Sequence, residues 1–203
     1  MIRIDVDFEQ PLRMLVNLED SLRDKVIART LNRIGDQTKI QARREISREF
    51  NLTASQVNDY LSVRRASVRN GRLEVSIVAE ARRGRSLNVI RFVERSVSMA
   101  QARKRRKDGT LSQVRVKIKR AGGAKILGTP SWAAGKPFIA TANGGTFVAA
   151  RLGKGRYPIQ AVQTIDVPSM FNAKRIKQIL IDRINETFPV ELQRQFDAVV
   201  RGF

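Results

Sequence analysis

The apolar positions of this chain change their spacing twice, and no other feature restricts the fold so strongly. Through residues 12–50, Leu15, Leu18, Leu22, Val26, Leu31, Ile34, Ile46 and Phe50 recur mostly at three- and four-residue steps with charges between them, as on one face of a long helix. Between residues 61 and 167 the period shortens to two, clearest in Leu73, Val75, Ile77 and Ala79 and in the run 114–118. Beyond Pro168 the helical spacing returns, first in Phe171, Ile176, Leu180, Ile184 and Phe188, then in Val190, Leu192, Phe196, Val199 and Val200. Helices are grouped at the two ends and not interleaved with strands, which a parallel sheet would require. The expected class is α+β: a long N-terminal helix, a mostly antiparallel sheet with hairpins and a basic loop, and two C-terminal helices.

Local signals place the breaks. Ile2, Ile4, Val6 and Phe8 alternate with Arg3, Asp5, Asp7 and Glu9, a half-buried strand whose acids share its wet face. Three carboxylates there could hold a hard cation, but solvation explains them, and no metal is expected. Gly35 interrupts the first helix at a cost of about 1 kcal/mol relative to Ala, which suggests a kink or a close helix crossing. Thr53-Ala54-Ser55-Gln56 fits a capping box opening a short helix to about Tyr60. Asn70-Gly71, flanked by strand-like runs, predicts a tight hairpin, and Asn143-Gly144-Gly145 predicts another. Residues 89–93 and 114–118 read as a strand pair joined by the most basic stretch, and Pro189 suits the first turn of a final helix. The glycine-rich passage around Trp132 favours ordinary packing of that ring over base stacking. Arg151-Leu152-Gly153-Lys154-Gly155-Arg156 lacks the spacing and the Lys-Ser/Thr pair of a phosphate loop and reads as a basic turn.

Length and composition fit one domain, residues 1–203, with 42% hydrophobic residues to form its core. Its expected parts are an N-terminal strand and helices (1–60), a sheet (61–167) with a basic insertion at about 82–125, and C-terminal helices (168–203). The absence of any apolar run near the roughly 18 residues that cross a bilayer, and of a signal-peptide block, suggests a soluble chain that is not exported.

Charge is the second constraint. The chain carries 39 Lys and Arg against 19 Asp and Glu, a net +20. Residues 82–125 hold 15 of these cations and only two acids, Glu94 and Asp108, so +13 lies in that stretch, while residues 1–60 balance ten against ten. At its centre stands Arg103-Lys104-Arg105-Arg106-Lys107, followed by Arg115, Lys117, Lys119 and Arg120. Such density repels itself unless an anion neutralises it, so these nine residues are the expected contacts for DNA or for an acidic protein surface. A solvated loop that meets no partner is the plainer alternative.

The sequence has no Cys and no His. That removes disulfides, thiol nucleophiles, Cys-ligated zinc and the usual proton shuttle at neutral pH. A nuclease would further need clustered acids for metal ions beside the basic surface. No enzyme activity and no cofactor are expected.

Arg156-Tyr157-Pro158-Ile159, Val162, the Val167-Pro168 step, Phe171 and Phe188-Pro189-Val190-Glu191-Leu192 resemble, in order and spacing, the minor tail protein Z (tail completion protein) family of lambda-like siphophages. Arg48-Glu49, Arg65-Ala66-Ser67 and the polybasic run before a glycine-rich stretch are collinear with it. The resemblance implies a structural virion protein at the head-proximal end of a long non-contractile tail, present in the host cytoplasm during assembly. It implies a neck ring, a hexamer by analogy, between the tail terminator and the head-tail connector, with no membrane partner and with packaged double-stranded DNA within reach of the basic loop. Arg156, Tyr157, Pro158, Ile159 and Pro189 become fold or interface residues; for Tyr157 a packed ring and bonded hydroxyl that anchor a turn are expected. The alternative is a free basic nucleic-acid-binding protein, although no zinc spacing, RNP-type motif or recognition helix supports it.

Overall fold

The computed structural model describes residues 15–16, 18–69, 73–80, 87–94, 114–142 and 144–201. The strand expected around Ile2 to Phe8, the Asn70-Gly71 turn and the polybasic centre lie outside them. The fold is α+β as expected. It divides into two compact units, one of Met1–Ile46, Ala54–Arg82 and Val167–Phe203, the other of Ser47–Thr53 and Arg83–Asp166.

The first unit is organised by helix α1 (Asp20–Glu49). Asp20 in its first turn and Arg48 in its last both oppose the helix dipole, and Asp20 also pairs with Arg23 at 2.7 Å. One stripe of α1, with Val26 and Ile34, joins Leu15 in a cluster with Ile184, Phe188, Leu192 and Val199 of the C-terminal helix. Full burial of a large apolar side chain of this kind is worth about 1.5–3 kcal/mol, so the cluster contributes substantially to the stability of the unit.

A second stripe of α1, Asn32, Gly35 and Asp36, faces a hairpin. Its first strand, β1 (Leu61–Arg64), follows the short helix α2 (Ala54–Asn58) and pairs antiparallel with β2 (Ser76–Ala79), from Leu61↔Ala79 to Arg64↔Ser76. The Asn32 carboxamide donates to the Ala66 carbonyl at 3.0 Å and accepts from the Ala66 amide at 2.8 Å. Arg65 donates to both carboxylate oxygens of Asp36 at 2.9 Å. A Cβ at Gly35 would lie 2.8 Å from a Val75 methyl and 3.1 Å from a Val63 methyl.

Two expectations change here. The close approach at Gly35 comes from valines of the hairpin and not from another helix, and α1 passes through the glycine as one element. The hairpin has the predicted partners, and among the described residues its pairing stops at Arg64↔Ser76, where Arg65 and Ala66 are bonded to α1 instead. The simple alternation also fails in β2, where Ser76, Val78 and Ala79 are all buried while Leu73 is exposed. Strand β2 is covered on both sides, helix α3 (Val167–Phe171) being one of its neighbours.

Helix α4 (Lys174–Val200) corrects the reading of Pro189, which lies inside it and does not start a new helix. The missing amide would have served the carbonyl of Asn185, and both residues are exposed, so water can take that acceptor. Phe188 and Leu192, on either side of the proline, are anchored in the cluster with α1 and hold the helix continuous.

Among the described residues, the second unit contains two small sheets. In the first, the segment 114–120 is the central strand. Its odd residues bond one edge, Glu94 N to Arg115 O (3.2 Å) and Lys117 N to Phe92 O (2.8 Å). Its even residues bond the other edge, first with β4 (Lys125–Ile126), which pairs with β3 (Arg115–Val116), then with the chain leaving α1. There Asn51 N donates to Ile118 O at 2.8 Å and Arg120 N to Glu49 O at 2.9 Å. The strand pair expected between 89–93 and 114–118 thus shrinks to the Val93↔Val116 bridge, since Val89–Phe92 forms a 3-10 turn.

Asn88 is the reason. Its side-chain oxygen accepts from Ile90 N at 3.0 Å and caps the turn, and the same carboxamide accepts from Val148 N at 3.0 Å and donates to Val148 O at 3.1 Å. A side-chain amide thereby pairs as a peptide group would with the second sheet. That sheet runs β5 (Phe138–Ala142), β6 (Gly145–Arg151), β7 (Ile159–Ala161), all antiparallel. The predicted second hairpin is present, with Ala142↔Gly145 as its last pair and Gly144 at φ 73°, a backbone region that favours glycine. β6 buries Val148, Ala149 and Ala150 consecutively.

Candidate interaction surface

The run Val114-Arg115-Val116-Lys117-Ile118-Lys119 alternates, and a strand sends alternate side chains to opposite faces. Val114 and Val116 are buried, whereas Arg115 and Lys119 keep 60% and 64% of their side-chain surface. Arg115, Lys117 and Lys119 therefore stand in a row on the outer side of the central strand, about 7 Å apart. Arg115 lies 4.0 Å from Glu94, and Lys119 lies 3.5 Å from Glu49. The Arg115–Glu94 pair is exposed on both sides and contributes about 0–1 kcal/mol, whereas Glu49 keeps only 17% of its side-chain surface and holds Lys119 more firmly. Lys117 has no ion pair among the described residues.

Arg120 has a different position. Its guanidinium donates to the carbonyls of Phe50 and Leu52, both at 3.4 Å, while its amide donates to Glu49 O. A guanidinium bonded to the carbonyls of the segment that follows α1 supports that corner of the fold. Of the nine expected contact residues, the structure thus brings Arg115, Lys117 and Lys119 together and ties Arg120 into the backbone; Arg103, Lys104, Arg105, Arg106 and Lys107 lie outside the described residues.

Arg156, Tyr157 and Pro158 lie in the turn between β6 and β7, which the Leu152 N to Pro158 O bond closes at 3.1 Å, and Ile159 opens β7, paired with Arg151. Arg151 helps to hold it by donating to Gly155 O at 3.0 Å while its guanidinium lies 5.5 Å from the centre of the Phe138 ring. The Tyr157-Pro158 peptide is cis. Tyr157 differs from expectation: its ring is not packed but 68% exposed, with the Arg156 guanidinium 5.8 Å from its centre. The turn is closed by main-chain bonds and by Arg151, so no buried ring is needed there. Pro189 belongs to the other unit and is exposed on α4.

The sequence did not single out Asn88, nor the Asn32–Ala66 and Asp36–Arg65 pairs. Asn88 follows a leucine and precedes a short apolar run, which marks a cap only once the 3-10 turn is known. Among the described residues no group of acidic side chains could hold a metal ion, and no helix is long and apolar enough to cross a membrane.

No curated protein and no solved structure gives a significant match to the chain. A family model does: that of the prophage minor tail protein Z (GPZ), over residues 7–203. With essentially its whole length matched, the chain belongs to the prophage minor tail protein Z family and has a structural role in a phage tail.

Proposed function

We propose that this chain is a tail completion protein at the head-proximal end of a siphophage tail, needed for the tail to join the filled head, and that its basic segment contacts the leading end of the packaged genome. The observation that carries the genome contact is the concentration of +13 in residues 82–125 of a tail protein whose residues 1–60 are neutral. The row of Arg115, Lys117 and Lys119 extends that charge onto the central strand, where the exposed Arg115–Glu94 pair is weak enough to exchange for phosphate. Binding of this kind is independent of base sequence and driven by counterion release, so it weakens steeply with salt. A ring of identical subunits, six by analogy with phage neck components, would multiply the effect by presenting the segment from every subunit around the passage of the DNA.

Replacing Arg103, Lys104, Arg105, Arg106 and Lys107 together by Ser tests the reading. If DNA is the partner, tails assemble and join heads, but particles lose genome. The salt dependence of duplex binding by the purified protein should fall by about 0.9 in log-log slope for each phosphate contact removed. Failure of joining with DNA affinity unchanged would assign the segment to acidic faces of neighbouring neck proteins instead. Electron microscopy of the purified chain checks the assembly role, for which rings or decorated tail ends are expected; a monomer that only shifts nucleic acid in gels would contradict it.

A further inference from the structure

One end of the β5–β7 sheet gathers large apolar side chains that the fold leaves partly exposed. Ala133 N donates to Pro130 O and closes a turn around Trp132, and Ala134 N donates to Arg151 O at 2.8 Å, which sets that turn beside the end of β6. Leu152 follows immediately, and its bond to Pro158 O brings Tyr157 alongside. Trp132, Leu152 and Tyr157 are 37%, 42% and 68% exposed, all at the same end of one sheet. Lys136, Lys154 and Arg156 are exposed around them. Between Asp108 and Asp166 the chain has no carboxylate at all.

We propose that this end of the sheet docks onto an acidic protein surface of the tail, with Trp132 and Tyr157 as anchors and the surrounding cations as the rim. Trp, Tyr and Arg are the residue types that concentrate binding energy at protein interfaces, where each needs a partner that removes it from water. Cations around an apolar centre select a partner with acids around its own. Duplex DNA fits the site less well. Its bases are stacked out of reach, contacts to phosphate gain nothing from covering Leu152, and the polybasic segment already offers a far denser charge. A second copy presenting this same end would set cation against cation. The proposal rests on the chain's place in the tail and is independent of the genome contact proposed above.

The test uses purified full-length protein and, as the probe, tails assembled without it, with association followed by co-sedimentation. The wild-type chain should bind them. Trp132→Ala and Tyr157→Ala should each weaken association at least about tenfold, as expected of anchor residues. Arg156→Glu should weaken it more at low salt than at high salt. Affinity for a 30-base-pair duplex should change less than about twofold in all three. Tyr157→Ala alters a ring that is already mostly in water, so it keeps the test decisive if Trp132→Ala does not fold. The proposal is overturned if the wild-type chain does not bind such tails, if Tyr157→Ala and Arg156→Glu bind as well as wild type, or if the same substitutions abolish DNA affinity while tail binding survives, which would make this end a nucleic-acid surface. Loss of genome retention in the five-serine variant bears only on the genome contact, so either reading can fail alone.

Discussion

Gly35→Ala should destabilise the helical unit, although the same change in an open helix stabilises. The helix-propensity gain is about 1 kcal/mol. Against it stands the 2.8 Å separation between the new Cβ and a Val75 methyl, with Val63 at 3.1 Å on the same side. Valine has one stiff side-chain rotation and cannot swing its methyl away cheaply, so the contact is an overpacking whose ordinary cost is about 1–3 kcal/mol. The net loss should be about 1 kcal/mol. Val75→Ala removes the nearest methyls, and in that background Gly35→Ala should change sign and stabilise by up to about 1 kcal/mol, since Val63 still limits the space. Urea unfolding followed by far-UV circular dichroism reports the helices and gives each corner of the cycle from the midpoint at constant slope. A stabilising Gly35→Ala in the wild-type background, or equal effects in the two backgrounds, would refute the packing argument.

Other perturbations follow from single contacts. Asn88→Ala strips bonds from Ile90 N, Val148 N and Val148 O, each worth about 0.5–1.5 kcal/mol, so a loss of about 2–4 kcal/mol is expected, with faster hydrogen exchange at the Val148 amide. Asn88→Asp retains the acceptor but no longer donates to Val148 O, and should recover only part of that loss. Pro189→Ala restores an amide to an exposed helix interior and should raise stability by about 1–3 kcal/mol, measured by the same urea titration; an unchanged midpoint would mean that the helix is not continuous through this position.

The fold class was legible because the helical spacing at both ends of the chain survives in α1 and α4, and the alternating run 114–118 survives between them, even though β2 and β6 do not alternate. The outward row of Arg115, Lys117 and Lys119 was legible for the same reason: one strand with one buried face leaves only a single phase. What stayed hidden depended on partners distant in sequence. Leu73 and Val75 continue the β2 pattern, yet among the described residues pairing ends at Ser76, where Asn32 and Asp36 on α1 take the residues after Arg64. Residues 89–92 have strand composition but form a 3-10 turn, since Asn88 bonds Val148, sixty positions away. Pro189 carries the usual mark of a helix start, and only the anchoring of Phe188 and Leu192 against α1 shows why the helix passes through it. Tyr157 was expected to pack because tyrosines at turns often do; here Arg151 holds the turn and leaves the ring in water.

The bridge between Val93 and Val116 has a mechanical consequence for the stretch that begins after Glu94 and ends before Val114. Its two ends are pinned at neighbouring points of one small sheet, so much of the end-to-end freedom that a loose cationic tail would surrender on meeting a polyanion is already given up when the protein folds. Moved to a chain terminus, the same residues would keep their charge but lose that head start. Pulling forces on the tethered stretch would be borne at the stem by the strand that also grips the carbonyls at the end of α1.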